Sequence, residues 1–220
     1  ARPSLRPLTL AVPKGRILKV LAPLLRRAGV SADCLLTEDR RLVRENEDGS
    51  MRFLLLKPDD VPTYVEYGSA DLGVVGRDTL LERNYELYQP VDLRVGVCRM
   101  AVAAPIDAAI PAVPRVATKY PRIARSYYAE KGMTIDVIEL NGSVELGPLV
   151  GLSDVILDIV ESGRTLRENG LDVLETIADV SARMVVNRVS MKMKSSRIHE
   201  MIEAVRVTLE ERKGQGGTEI

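Results

Sequence analysis

The chain has 220 residues, 45% of them hydrophobic, and its 31 Lys plus Arg balance 31 Asp plus Glu for a formal net charge of +0. That length builds one large domain or two of ordinary size without metals or disulfides, and a balanced charge argues against general nucleic-acid affinity, which needs a surplus of cations. The two cysteines, Cys34 and Cys98, make neither a disulfide framework nor a metal-ligand spacing, the apolar runs are too short to span a membrane, and no signal-peptide core follows the first arginines. The expectation is a cytoplasmic protein that engages no nucleic acid and no membrane.

Short apolar runs alternate with amphipathic stretches, which predicts α/β architecture. Leu8 to Val12 reads as a strand, and Gly15 to Ala28 as a helix stopped by Gly29. Leu42 to Glu45 and Met51 to Leu56 read as a hairpin around Glu47-Asp48-Gly49. A short helix over Asp59 to Tyr67, a strand over Asp71 to Val75 and a helix near Thr79 to Arg83 follow. Val91 to Ala104 is β-rich and too long for one strand of a small domain, so it is expected to cross between lobes. The alternation then restarts with a strand (Val116 to Thr118), a helix (Pro121 to Glu130) and a strand (Ile135 to Leu140). A short helix (Ser143 to Leu149), a strand (Val155 to Val160) and a helical turn (Thr165 to Asn169) complete this part. Ala182 to Asn187 is a second β-rich run, and a final helix spans Ser190 to Arg212. These elements predict two lobes with a cleft between them, residues 1–95 with 182–212 forming the first and 96–181 the second. A flexible tail is expected over 213–220.

The strongest local signal is Asp158 to Leu166. An apolar strand carries a carboxylate near its end, enters a loop of small polar residues and opens a helix. Thr165 with Glu168 fits a capping box, and the first-turn N–H groups with the Ser162 and Thr165 hydroxyls would converge on an anion. Gly163 would let the backbone approach a phosphate, Arg164 would add charge, and Asp158 and Glu161 suit the vicinal hydroxyls of a ribose. Read alone, the segment is equally a capped strand-to-helix turn. A second signal, Pro13-Lys14-Gly15-Arg16, sets two cations around a glycine at the carboxyl end of a strand, where ligands of open α/β sheets gather. Lys57 also ends a strand, and Gly73 and Gly76 could thin the backbone enough to admit a purine. Asn141 to Glu145 is another strand-to-helix turn. His199, the one histidine, reads as a surface helix residue rather than an acid or base.

Together these segments resemble the ATP phosphoribosyltransferase family, on AVPKGRI (Ala11–Ile17), DDVPTYVEYGSADLGVVG (Asp59–Gly76), RVATKYP (Arg115–Pro121), LNGSVELGPLVGLSDVILDIVESGRTL (Leu140–Leu166) and NGL (Asn169–Leu171). The resemblance implies a two-lobed fold similar to type II periplasmic binding proteins, with the active site in the cleft. It implies transfer of the phosphoribosyl group of phosphoribosyl pyrophosphate to N1 of ATP, with Mg2+, at the start of histidine biosynthesis. It implies phosphoribosyl pyrophosphate at Asp158, Glu161, Ser162, Gly163, Arg164 and Thr165, and ATP near Lys14, Gly15, Arg16, Asp71, Leu72 and Gly73. Arg16 and Lys57 are implied as catalytic, Lys57 standing where family members often carry arginine. The length implies the short form, whose homodimers join a histidyl-tRNA-synthetase-like regulatory subunit in a hetero-octamer. The alternative is a non-catalytic binding protein of the same fold.

Overall fold

The computed structural model describes residues 6–214 and divides the chain into two compact units. The chain opens with β1 (Leu8–Pro13), α1 (Arg16–Arg27), β2 (Val43–Glu45), β3 (Met51–Leu56), α2 (Val61–Glu66), β4 (Leu72–Gly76), α3 (Arg77–Glu82) and β5 (Leu87–Asp92). It continues through β6 (Cys98–Pro105), β7 (Arg115–Thr118), α4 (Pro121–Glu130), β8 (Asp136–Glu139), α5 (Leu146–Leu149), β9 (Val155–Val160), α6 (Arg164–Glu168) and β10 (Leu171–Val180). It closes with β11 (Ala182–Asn187), α7 (Arg188–Met193) and α8 (Ser195–Gly214).

The first unit holds the chain up to Leu80, Tyr85–Gly96 and the chain from Ser181 onward. Its six strands lie in the order β2-β3-β1-β4-β11-β5, with β1 parallel to both β3 and β4. Strand β1 is buried throughout because both faces of the sheet are covered. Leu10 and Val12 pack with Leu21 and Leu25 of α1 and Ile198 and Val205 of α8, while Ala11 packs with Val61 and Val65 of α2. The hairpin expected at Glu47-Asp48-Gly49 joins β2 to β3 in antiparallel register.

The second unit holds Val97–Val180 together with Leu81–Asn84, the latter a stretch that the sequence reading leaves in the first lobe. Glu82 explains why it belongs here. Its two carboxylate oxygens accept the backbone N–H groups of Arg122 (2.9 Å) and Ile123 (3.0 Å), capping α4 where no side chain of the helix's own does so. The sheet order is β10-β6-β9-β7-β8, with β7 parallel to β8 and β9. Ala124 and Tyr128 of α4 pack with Met100, Val102 and Leu157 on one face; Leu166 of α6 packs with Ala101, Ala103 and Val160 on the other.

The run Val91 to Ala104 passes from the first unit to the second as expected, through the end of β5 and most of β6, which lie in different sheets. Two expectations are corrected. Strand β10 has no counterpart in the sequence reading. The final helix is two helices, interrupted at Lys194, and α8 continues through Gly214; the rest of the expected tail, 215–220, lies outside the described residues.

Candidate functional site

In the second unit, three parallel strands deliver their following loops to one edge of the sheet. Register pairs Thr118 of β7 with both Glu139 of β8 and Leu157 of β9, so β9 runs three residues further before turning. That extension carries Asp158, half-buried, whose Oδ1 accepts the N–H of Ile159 at 2.8 Å. Glu161, Ser162, Gly163, Arg164 and Thr165 then form the turn into α6 at the carboxyl edge, where ligands of such sheets bind. Leu166 anchors it by burying against Val160 and Leu171.

The turn is built differently from a capping box. Gly163 occupies the N-cap position with φ of 73°, a left-handed conformation that disfavours any side chain, and a Cβ there would lie 3.0 Å from Arg167 Nη1. Glu168 pairs with Arg164 Nε at 2.7 Å instead of reaching back to the helix start. Ser162 Oγ accepts the N–H of Arg164 at 3.3 Å, and Arg167 Nη1 donates to the Ser162 carbonyl at 3.2 Å. The loop is therefore closed by glycine conformation and an arginine strap. Thr165 stands exposed on the first turn.

Two cations at this unit's sheet edge escaped the sequence reading. Lys119 follows β7 directly, held in place by Thr118, whose Oγ1 donates to the Leu157 carbonyl (2.6 Å) and accepts the N–H of Tyr120 (2.9 Å). Arg99 lies on β6 opposite Val160. The available signals were a lysine just past a short strand and a lone charge inside an apolar run.

In the first unit, β1 and β3 run parallel with Pro13 beside Leu56, and the Lys14 N–H donates to the Leu56 carbonyl at 2.8 Å. Lys14, Gly15, Arg16 and Lys57 consequently emerge together at the carboxyl edge of neighbouring strands, the cations all exposed. Gly15 takes φ of 103° with open space around its would-be Cβ, so conformation rather than room calls for glycine.

Asp71, Leu72 and Gly73 do not join them. Leu10 of β1 pairs with Leu72, which puts Asp71 beside Thr9, five residues and roughly 16 Å of extended strand from Lys14. The Asp71 carboxylate is buried and fully employed: it accepts the N–H of Thr9 (2.9 Å), the hydroxyl of Ser190 (2.7 Å) and the ammonium of Lys194 (2.9 Å). Leu72 is core, and a Cβ on Gly73 would meet Val65 Cγ2 at 2.6 Å and Val61 Cγ1 at 2.9 Å. Gly73 lets α2 seat on the sheet, which leaves no room there for a purine.

The remaining candidates are quiet. His199 is exposed on α8, with Nδ1 within 2.8 Å of the Ser195 carbonyl. Cys34 and Cys98 form no disulfide, and burial pushes the Cys34 pKa upward. Among the described residues no group of three or more His, Cys, Asp or Glu is placed to hold a metal, and no helix is long and apolar enough to cross a membrane.

A family model described as ATP phosphoribosyltransferase matches residues 57–207. An ATP phosphoribosyltransferase of Sorangium cellulosum is 60% identical over 201 residues, covering 91% of this chain and 95% of its own. The chain belongs to the ATP phosphoribosyltransferase family. A Geobacter sulfurreducens relative named ATP phosphoribosyltransferase 2 is 49% identical, with 90% and 96% of the two chains covered. A solved ATP phosphoribosyltransferase (HisG:HisZ) complex from Thermotoga maritima has a chain that superposes with TM-score 0.81 at 38% identity, over 93% of this chain and 99% of that one. The Escherichia coli periplasmic aliphatic sulphonate binding protein superposes with TM-score 0.57 at 15% identity, over 96% and 76% of the two chains. This likeness shows the two-lobed fold alone, and it bears out the fold that the resemblance implied.

Proposed function

We propose that this chain is the catalytic subunit of a short-form ATP phosphoribosyltransferase, working with a HisZ-type regulatory partner. Family membership carries the reading, since the chain is 60% identical to a named member over most of both lengths. The family's reaction opens histidine biosynthesis. Adenine N1 of ATP attacks C1 of the phosphoribosyl group as the bond from C1 to the diphosphate oxygen breaks. Adenine N1 already carries a lone pair, so positioning and electrostatics suffice and no strong base is needed.

In this reading the Glu161–Thr165 turn receives the 5-phosphate and Asp158 the ribose hydroxyls. The geometry behind it is a glycine-permitted turn at the carboxyl edge of β9. Lys14, Gly15, Arg16 and Lys57, gathered past the ends of β1 and β3, are assigned to ATP and the leaving diphosphate. Their positive charge would be worth most as negative charge grows on the departing oxygen. Mg2+ fits as a companion of the substrates, because it is commonly held by one or two carboxylates plus substrate phosphates, and Asp158 and Glu161 are oxygen donors of that type. When bound it would neutralise diphosphate charge. We place the enzyme in the cytoplasm and expect the family's hetero-octamer.

The deciding experiment incubates the full chain with ATP, phosphoribosyl pyrophosphate and Mg2+, with and without a HisZ-type subunit. Formation of phosphoribosyl-ATP is expected. Absence of product with the partner present would overturn the reading.

A further inference from the structure

We infer that Arg99 is a substrate-contacting residue for the phosphate bound at the second unit's turn, a role resting on the assignment of Glu161–Thr165 to phosphoribosyl pyrophosphate. Side chains alternate between the two faces of the sheet along β6. Met100, Val102 and Ala104 enter the core under α4, whereas Ala101 and Ala103 enter the core under α6. Arg99 is in step with the second set and faces the side from which α6 and its preceding turn approach.

Register then fixes its neighbours. Across β9, Arg99 pairs with Val160, the residue immediately before Glu161, while Asp158 pairs with Ala101 one step along the same face. Across β10, Arg99 pairs with Asp179. Cross-strand pairs and their diagonals lie within reach of a long side chain. The guanidinium is thus carried by the strand next to β9, level with the residue where the turn begins.

Arg99 Nε is buried and makes no hydrogen bond to any described residue. A buried N–H on a charged group left without an acceptor is costly, and such groups occur where another species completes them. The acceptor that suits a guanidinium beside a glycine turn is a phosphate, whose oxygens match the planar fork. The 5-phosphate is favoured over the diphosphate because Arg99 sits at the root of the turn assigned to the former. Asp158 stands one step along the same face on β9, and Asp179 stands opposite Arg99 on β10.

Three full-length proteins test this: wild type, Arg99→Met, which keeps the apolar stem without charge, and Arg99→Lys, which keeps the charge without the fork. Binding of phosphoribosyl pyrophosphate with Mg2+, of ribose 5-phosphate, and of inorganic diphosphate is measured by calorimetry, with melts to verify folding. Arg99→Met is expected to weaken the first two ligands by about 10- to 100-fold and to leave diphosphate unchanged. Arg99→Lys should recover only part of the loss. If Arg99→Met fails to fold, Arg99→Lys decides by the same comparison. Wild-type affinity for both ribose phosphates in the folded variants would overturn the role of Arg99 while leaving the family reading intact. A loss confined to diphosphate would overturn the 5-phosphate contact, and a wild-type chain that binds neither ribose phosphate would overturn both.

Discussion

Thr165 and Lys57 offer the cleanest tests of the assigned site, each for a reason that the structure supplies. Because Gly163 fills the N-cap position, removing the Thr165 hydroxyl sacrifices no helix cap. Thr165→Ala should therefore leave the melting temperature nearly unchanged and weaken phosphoribosyl pyrophosphate by about 1.5–3 kcal/mol, the worth of a bond to a charged group. ATP affinity should hold. Equal losses on both ligands in a titration would remove the hydroxyl from the phosphate site. Lys57, exposed beside Lys14, is a different case. If its charge meets the diphosphate as the bond breaks, Lys57→Ala should slow single turnover more than it weakens ground-state binding. Lys57→Arg should retain most activity. A wild-type rate in Lys57→Ala would show that this lysine merely solvates a strand end.

Strands and helices show where reading the chain succeeds and where it stops. Periodicity locates β1, α1, the β2–β3 hairpin, α4 and β9 to within a residue or two, because their apolar positions face continuous cores. Strand β10 escaped since Asp172, Glu175, Thr176 and Asp179 break up its apolar pattern, and two register shifts in its pairing with β6 destroy simple alternation. The interruption at Lys194 escaped for a tertiary reason, as that lysine turns to a carboxylate 123 positions away. The resemblance implies Asp71 near ATP, yet it ties β4 to β1, to α7 and to Lys194 between α7 and α8. Asp71→Ala should consequently lower unfolding free energy by at least about 1–3 kcal/mol, as buried donors lose their acceptor, with ATP affinity preserved. Denaturant unfolding beside an ATP titration checks this, and lost affinity at full stability would return Asp71 to the nucleotide. Gly73→Ala should be destabilising by about 1–3 kcal/mol through overpacking against α2. Adding Val65→Ala should recover part of that loss; purely additive effects would show that the α2 contact is not the cause.

Taken as a whole, the protein should respond to its substrate as a folded receptor. A ligand that binds only the native state adds RT ln(1 + [L]/Kd), about 2.7 kcal/mol at a hundredfold excess over Kd. Phosphoribosyl pyrophosphate with Mg2+ should thus raise the melting temperature by a few degrees, and an unchanged melt at millimolar ligand would count against the substrate assignment. Strand β11 lies between β4 and β5, yet it is made only after the segment Val97–Val180. During synthesis, a nascent chain that has emerged as far as Val180 possesses every strand of the second sheet, while the first sheet still lacks an inner strand and has β4 and β5 with no bridge between them. The second unit can therefore mature before the first is complete. Ribosomal stalling near Ser181 would leave two strand edges exposed for chaperones to shield.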